Sequence, residues 1–134
     1  MGTVLGSIAT VTLFVADPQR SKAFYERVLE SEPVYEDEAA VAFRHGGLLV
    51  NLLRREEAPE LVEPATVAAE GSGPGVLLTI EVEDADAALA GLDARGVEPL
   101  NGPLDRPWGV RTAAFADPDG HVWELAQSLA PAAE

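Results

Sequence analysis

The chain has 134 residues, 47% of them hydrophobic, and no cysteine. That is enough apolar material for the core of one domain, and it excludes disulfides, thiolate metal sites and a cysteine nucleophile. With 9 Lys+Arg against 23 Asp+Glu the formal net charge is −14, which repels phosphate backbones, disfavours nucleic acid as a partner and attracts cations.

Residues 7–15, SIATVTLFV, are β-branched and apolar and read as a strand. Thr10 and Thr12 share one face; Val11, Leu13 and Val15 share the other. Asp17 then supplies an N-cap and Pro18 a first helical residue. Phe24, Tyr25, Val28 and Leu29 fall at helical spacing, and Pro33 ends that helix at the latest. Three short strands are predicted over 34–37, 39–44 and 48–53, with His45-Gly46-Gly47 turning between the last two.

Residues 54–74 carry three prolines, several glutamates and Gly71-Ser72-Gly73, and read as a connecting segment with room for a helical turn. The order then repeats. Residues 76–82 form a strand, and Asp84 caps a helix in which Ala85, Ala88, Leu89 and Leu92 share a face. Gly96 stands where a left-handed residue closes a helix. Strands follow over 97–100, 109–116 and 121–127, with a type I turn signature in Asp117-Pro118-Asp119-Gly120.

The two halves align residue by residue. TVTLFVAD (10–17) matches LLTIEVED (77–84), and GLLVNL (47–52) matches GHVWEL (120–125). Agreement in element order, Asp cap and turn glycine points to a duplicated βαβββ module, and a concave site tends to form where such halves meet. The expected architecture is α+β: two tandem βαβββ modules forming a curved eight-stranded mixed sheet around a cavity. Residues 1–134 are read as a single domain, with module one over about 7–53, a linker over 54–74 and module two over about 75–127.

Two stretches carry a resemblance, ADPQRSKAFYERVLE (16–30) after a strand and the distant DPDGHVWEL (117–125). Together they resemble the vicinal-oxygen-chelate superfamily, which includes glyoxalase I, extradiol dioxygenases, fosfomycin-resistance enzymes and bleomycin-resistance proteins. The resemblance spans about residues 8–127 and implies a sheet wrapped around a small-molecule cavity, usually in a dimer. It also implies that the metal-ligand positions of the superfamily's metalloenzymes fall on Thr10, Asn51, Leu77 and Glu124. A divalent metal wants imidazole or carboxylate donors, and of the four only Glu124 offers one. No metal ligand set and no cofactor is therefore assigned. The closest expected relatives are metal-free binders of the bleomycin-resistance type.

Strand alternation puts Thr10, Thr12, Phe14, Leu49, Asn51, Leu53, Leu77, Thr79, Glu81, Val122 and Glu124 on the inner face, a mostly apolar lining suited to a small organic ligand. Glu124 is the one candidate catalytic residue, read as a ligand anchor, as a base, or as a carboxylate satisfied by Thr10 or Asn51. Trp108 lies in a loop and either stacks on a planar ligand or plugs the second module. Arg111 pairs with a ligand carboxylate, with Glu124 or with a surface acid. The candidate ligand-binding set is thus Thr10, Thr12, Asn51, Leu77, Thr79, Trp108, Arg111 and Glu124. His45 and His121 read as surface residues, and Trp123 as core.

No apolar run approaches the ~20 residues of a membrane span, and no secretory leader is seen, so a soluble cytoplasmic protein is expected. The functional expectation is a protein that binds a small organic molecule, aromatic or cationic, without metal, as in antibiotic sequestration. The alternatives are a metal-dependent lyase or dioxygenase, and metal-free acid–base catalysis by Glu124. A homodimer is expected because a curved sheet in so short a chain leaves edges to protect.

Overall fold

In a computed structural model, described here over residues 4–129, the eight expected strands are present and divide into two four-stranded mixed sheets. The chain separates into two units between Ala69 and Glu70, inside the stretch expected to link the modules.

Unit 1 begins with β1 (Thr10–Val15), three residues later than the alternation predicts. Asp17 caps α1 (Pro18–Leu29): its carboxylate accepts the Gln19 backbone N–H at 3.0 Å, as its extended backbone allows. The helix ends at Glu30, whose left-handed φ of 51° is adopted without glycine. After it come β2 (Tyr35–Glu36), β3 (Ala40–His45) and β4 (Leu48–Arg54). The sheet order is β1-β4-β3-β2, with β1 parallel to β4 and α1 as the crossover.

The apolar side of this sheet meets the helix. Leu13, Val15, Val41, Phe43, Val50 and Leu52 are buried with Phe24 and Tyr25, and the Tyr25 and Phe43 rings lie 6.4 Å apart. Each such side chain contributes roughly 1.5–3 kcal/mol on burial. At the far edge, Glu36 of β2 accepts from Gln19 and Lys22 of α1 at 2.7 and 2.9 Å. Part of the expected linker is ordered as a 3-10 turn (Arg55–Glu57) and a short α2 (Pro59–Val62).

Unit 2 repeats the plan with β5 (Leu77–Glu81), α3 (Ala85–Ala94), β6 (Pro99–Arg106), β7 (Val110–Ala116) and β8 (Val122–Ser128), in the order β5-β8-β7-β6. Asp84 caps α3 by accepting the Ala87 N–H at 3.0 Å. The helix closes as a Schellman motif: Gly96 N–H reaches Asp93 O and Val97 N–H reaches Leu92 O, with Gly96 at φ 87°. Val97 and Leu92, the two positions that commonly pack together in this cap, are both buried. Trp123 is core as expected, stacked on Phe115 with ring centroids 6.4 Å apart. In the β7–β8 turn, Asp117 is buried and its carboxylate accepts the N–H groups of Asp119 and His121 at 3.0 and 2.8 Å.

The main departure from the sequence reading is β6. A strand expected to stop at residue 100 runs on to Arg106. Pro99, Gly102, Pro103 and Pro107 obscure it, yet an edge strand tolerates proline because one side of its ladder is unpaired. The register against β7 shifts between Pro99 and Asn101 and again between Asn101 and Leu104. Gly102 sits at the second shift, at φ 90°, where a Cβ would lie 2.5 Å from Thr112 O. Among the described residues no helix is long and apolar enough to cross a membrane.

The closing glycine of α3 gives a stability test. Gly96→Ala forces a side chain into the left-handed region and is expected to destabilise the protein by about 1–2 kcal/mol in urea unfolding. Glu98→Ala, exposed and two residues on, is expected to change it by less than about 0.5 kcal/mol. Equal effects of the two changes would contradict the capping role.

Candidate functional site

Each sheet has one face against its helix and one face turned away from it. In unit 1 the second face presents Thr10, Thr12 and Phe14 from β1 beside Leu49, Asn51 and Leu53 from β4, in that register. The cross-strand neighbour of Asn51 is Thr12 rather than Thr10, and its amide donates to Thr12 Oγ1 at 3.4 Å. Thr10 and Thr12 are exposed and Asn51 is half-buried. At the end of this face Arg55 donates to the carbonyls of Phe14 and Ala68 at 3.5 and 3.3 Å, which ties the segment after α2 back to β1.

Unit 2 repeats this arrangement with different chemistry. Leu77 stands opposite Val122, Thr79 opposite Glu124 and Glu81 opposite Ala126. The Thr79 hydroxyl donates to Glu124 Oε1 at 2.9 Å. Thr79 is therefore the partner of the carboxylate, in place of Thr10 or Asn51. It occupies the position in module two that Thr12 occupies in module one, just as Glu124 occupies that of Asn51. Glu124 is half-buried, and its Oε2 has no protein partner among the described residues. The face continues over Ala126 and Ser128 of β8 and over Val110, Thr112 and Ala114 of β7. Glu81, Glu83, Val110, Ala126 and Ser128 line a cavity of about 410 Å3 at one end of it, a volume within the range of small-molecule sites.

Two sequence expectations change. Arg111 does not pair with Glu124. Alternation along β7 turns it to the helix side, where it donates to Asp105 at 2.6 and 3.3 Å and to Asp86 of α3 at 3.2 Å. Its role is the surface ion-pair alternative. Trp108 does not plug the second module: it sits in the turn between β6 and β7 with 71% of its surface exposed. Leu77 is 51% exposed and offers no donor atom.

The sequence reading missed Arg106. As long as β6 was taken to end before it, nothing assigned it a face. In the structure it stands opposite Val110, on the Glu124 side of the sheet, and its Nε donates to the buried Thr112 hydroxyl at 2.9 Å.

The residues present do not fit a resident divalent metal. Of the positions that the resemblance assigns to metal ligands, Thr10 and Asn51 lie on the open face of unit 1 and Leu77 and Glu124 on that of unit 2, and only Glu124 carries a carboxylate or imidazole. Among the described residues no three His, Asp or Glu side chains gather to hold an ion. His45 is exposed, and the His121 backbone N–H is engaged by Asp117.

The family model for the Glyoxalase/Bleomycin resistance protein/Dioxygenase superfamily matches residues 7–125. Among solved structures, a glyoxalase/bleomycin resistance protein/dioxygenase from Nocardioides is 25% identical, covering 99% of this chain and 91% of its own, with a TM-score of 0.84. A glyoxalase-related enzyme from Fulvimarina pelagi is 26% identical over 92% of this chain and 89% of its own, with a TM-score of 0.77. A lactoylglutathione lyase from Agrobacterium tumefaciens shares the fold at 20% identity, over 93% and 96% of the two chains, with a TM-score of 0.74.

The Arg111 cluster has a readable acid limb. Hydrogen bonding from the Arg111 guanidinium, reinforced by its charge, holds the Asp105 carboxyl below its ordinary value of 3.8. A depressed folded-state value stabilises the fold above the ordinary carboxylate range, and that contribution is lost as pH falls through the depressed value. A carbon-detected NMR titration of Asp105 is expected to give a midpoint below 3.8, returning upward in Arg111→Gln. An unchanged midpoint in the variant would show that the pairing does not hold in solution.

Proposed function

The chain belongs to the glyoxalase/bleomycin resistance protein/dioxygenase superfamily, and on that basis we propose that it binds a small organic molecule, aromatic or cationic, without a resident metal, on the sheet faces turned away from α1 and α3. The observation that carries this reading is the pair of equivalent cross-strand positions. Asn51 in module one and Glu124 in module two, two of the four positions where the superfamily's metalloenzymes need strong donors, stand beside Thr12 and Thr79, while Thr10 and Leu77 fill the other two. The open face of unit 1 offers hydroxyl and amide, and that of unit 2 hydroxyl and one carboxylate, groups suited to orienting an organic ligand. The formal charge of −14 favours a cation among candidate ligands. Sequestration of a natural-product antibiotic is the specific form of this activity.

A second reading is metal-free acid–base chemistry by Glu124, favoured by one observation: Oε1 is held by Thr79 while Oε2 stays open to accept a proton. Elemental analysis of protein purified without chelators, together with calorimetric titration of a panel of planar and cationic natural products including bleomycin, tests the first reading. The expected result is substoichiometric metal and saturable binding that weakens about tenfold, or ~1.4 kcal/mol, in Glu124→Gln. Stoichiometric zinc, iron or manganese lost in Glu124→Gln would replace this reading with a metalloenzyme. A sigmoidal pH–rate profile abolished by Glu124→Gln would mark the second reading.

We also propose a homodimer. β1 and β5 are sheet edges, and exposed apolar residues lie beside them, Ile8 at 77%, Val76 at 56% and Leu77 at 51%. Unpaired edges flanked by apolar surface are sites of association. Sedimentation equilibrium at micromolar concentration is expected to give twice the chain mass of 14.1 kDa; a single species at the chain mass would overturn the proposal.

A further inference from the structure

Arg106 is an anomaly of charge. The chain has 23 acidic side chains for 9 Lys and Arg, so an arginine has no shortage of counter-ions. Arg111, five residues on, takes two of them. Arg106 takes none among the described residues: its side chain's single hydrogen bond there is Nε to Thr112 Oγ1 at 2.9 Å, and its two terminal nitrogens have no partner among them. Thr112 is only 2% exposed, so the guanidinium is fixed through one donor by a buried anchor while its other donors stay available.

Its neighbours on β7 and β8 include small residues. Arg106 stands opposite Val110 and leans along β7 to Thr112; Ala126 is Thr112's register partner and Ala114 is Glu124's. Across this small-residue floor lies Glu124, held by Thr79 with Oε2 open. Arg106 and Glu124 form no ion pair, although they share one face of one four-stranded sheet. A cation and an anion on one face, separated by alanines and each held by a threonine, are placed to be bridged by a molecule that answers both.

We infer that Arg106 and Glu124 form a two-point recognition site for a small amphoteric molecule, with an acidic oxygen on the Arg106 guanidinium and an ammonium or hydroxyl donor on Glu124. This rests on the ligand-binding reading of the same face and narrows it. The cationic group favoured by the overall charge is satisfied at Glu124, and a second, anionic group is required at Arg106. Thr112 is a positioning residue: its hydroxyl sets the guanidinium plane so that the terminal N–H donors present to an oxyanion as a fork.

The test uses four matched aromatic probes on the full chain: 4-(aminomethyl)benzoate, benzoate, benzylamine and benzamide. Binding is read by NMR from the Arg106 Nε–H and the Glu124 carboxyl carbon. The zwitterion is expected to shift both signals and to bind about tenfold more tightly than either singly charged probe. Benzoate should shift mainly Arg106, benzylamine mainly Glu124, and benzamide neither.

Arg106→Gln should remove the preference for benzoate over benzamide while leaving benzylamine binding intact. Arg106→Lys should restore part of that preference through its charge. Thr112→Val should weaken benzoate without touching benzylamine. A merely structural Arg106 would lower the melting temperature and leave probe discrimination unchanged, so thermal unfolding is recorded for each variant. If all four probes bind this face equally, or Arg106→Gln leaves discrimination intact, the two-point site is wrong while the ligand-binding reading survives. If none of the probes perturbs either residue, the amphoteric class is wrong; bleomycin titration then decides the broader reading on its own.

Discussion

The whole arrangement depends on parallel pairing between the first and last strand of each module. β1 lies against β4 and β5 against β8 because a capped helix crosses over between them. That pairing divides every strand into two sets of side chains. One set, with Leu13, Val15, Val50 and Leu52 in unit 1, is consumed in packing the helix. The other, with Thr12 and Asn51 in unit 1 and Thr79 and Glu124 in unit 2, has no helix to cover it. The chemistry available to the protein is what the sequence writes on that second set.

Much of this was legible in the amino acids because it rests on local signals. Asp17 and Asp84 cap helices where the spacing predicts, Gly96 closes one, and Trp123 turns inward. The face assignment of Thr10, Thr12, Asn51, Thr79 and Glu124 follows from period-two alternation, and the observed register agrees with it. Partner identity was less legible. Glu124 could be placed on a face, but choosing Thr79 over Thr10 or Asn51 needed the register between strands more than forty residues apart in sequence. Arg106 escaped notice for another reason. Prolines and a glycine give β6 the composition of a loop, and only its pairing with β7 makes it a strand. Arg111 looked the better candidate because its strand was obvious, and alternation then turned it toward α3 and two aspartates.

The two modules use one geometry for unequal ends. A threonine on the first strand faces a polar residue on the last in both, at 3.4 Å to Asn51 and 2.9 Å to Glu124. The neutral amide in unit 1 can both donate and accept. The carboxylate in unit 2 only accepts, and it adds a charge. A repeated strand order thereby yields two faces of matching register at these positions and different electrostatic character. The acidic one also carries the Arg106 guanidinium, held by Thr112, and the cavity walled by Glu81 and Glu83.

Gly102 gives this chemistry an unusual sensitivity. The backbone of β6 approaches β7 so closely there that any larger residue would meet the Thr112 carbonyl, and the register slips at that point before Leu104 resumes pairing. Downstream of the slip, Asp105 points toward α3 and Arg106 away from it. Gain of one residue at the slip would move every following side chain one position along β7, setting Asp105 where the guanidinium now stands and reversing the sign of the exposed group, whereas loss of one would set Pro107 there. Diversification of this scaffold toward new guests is therefore open through strand length as well as through substitution.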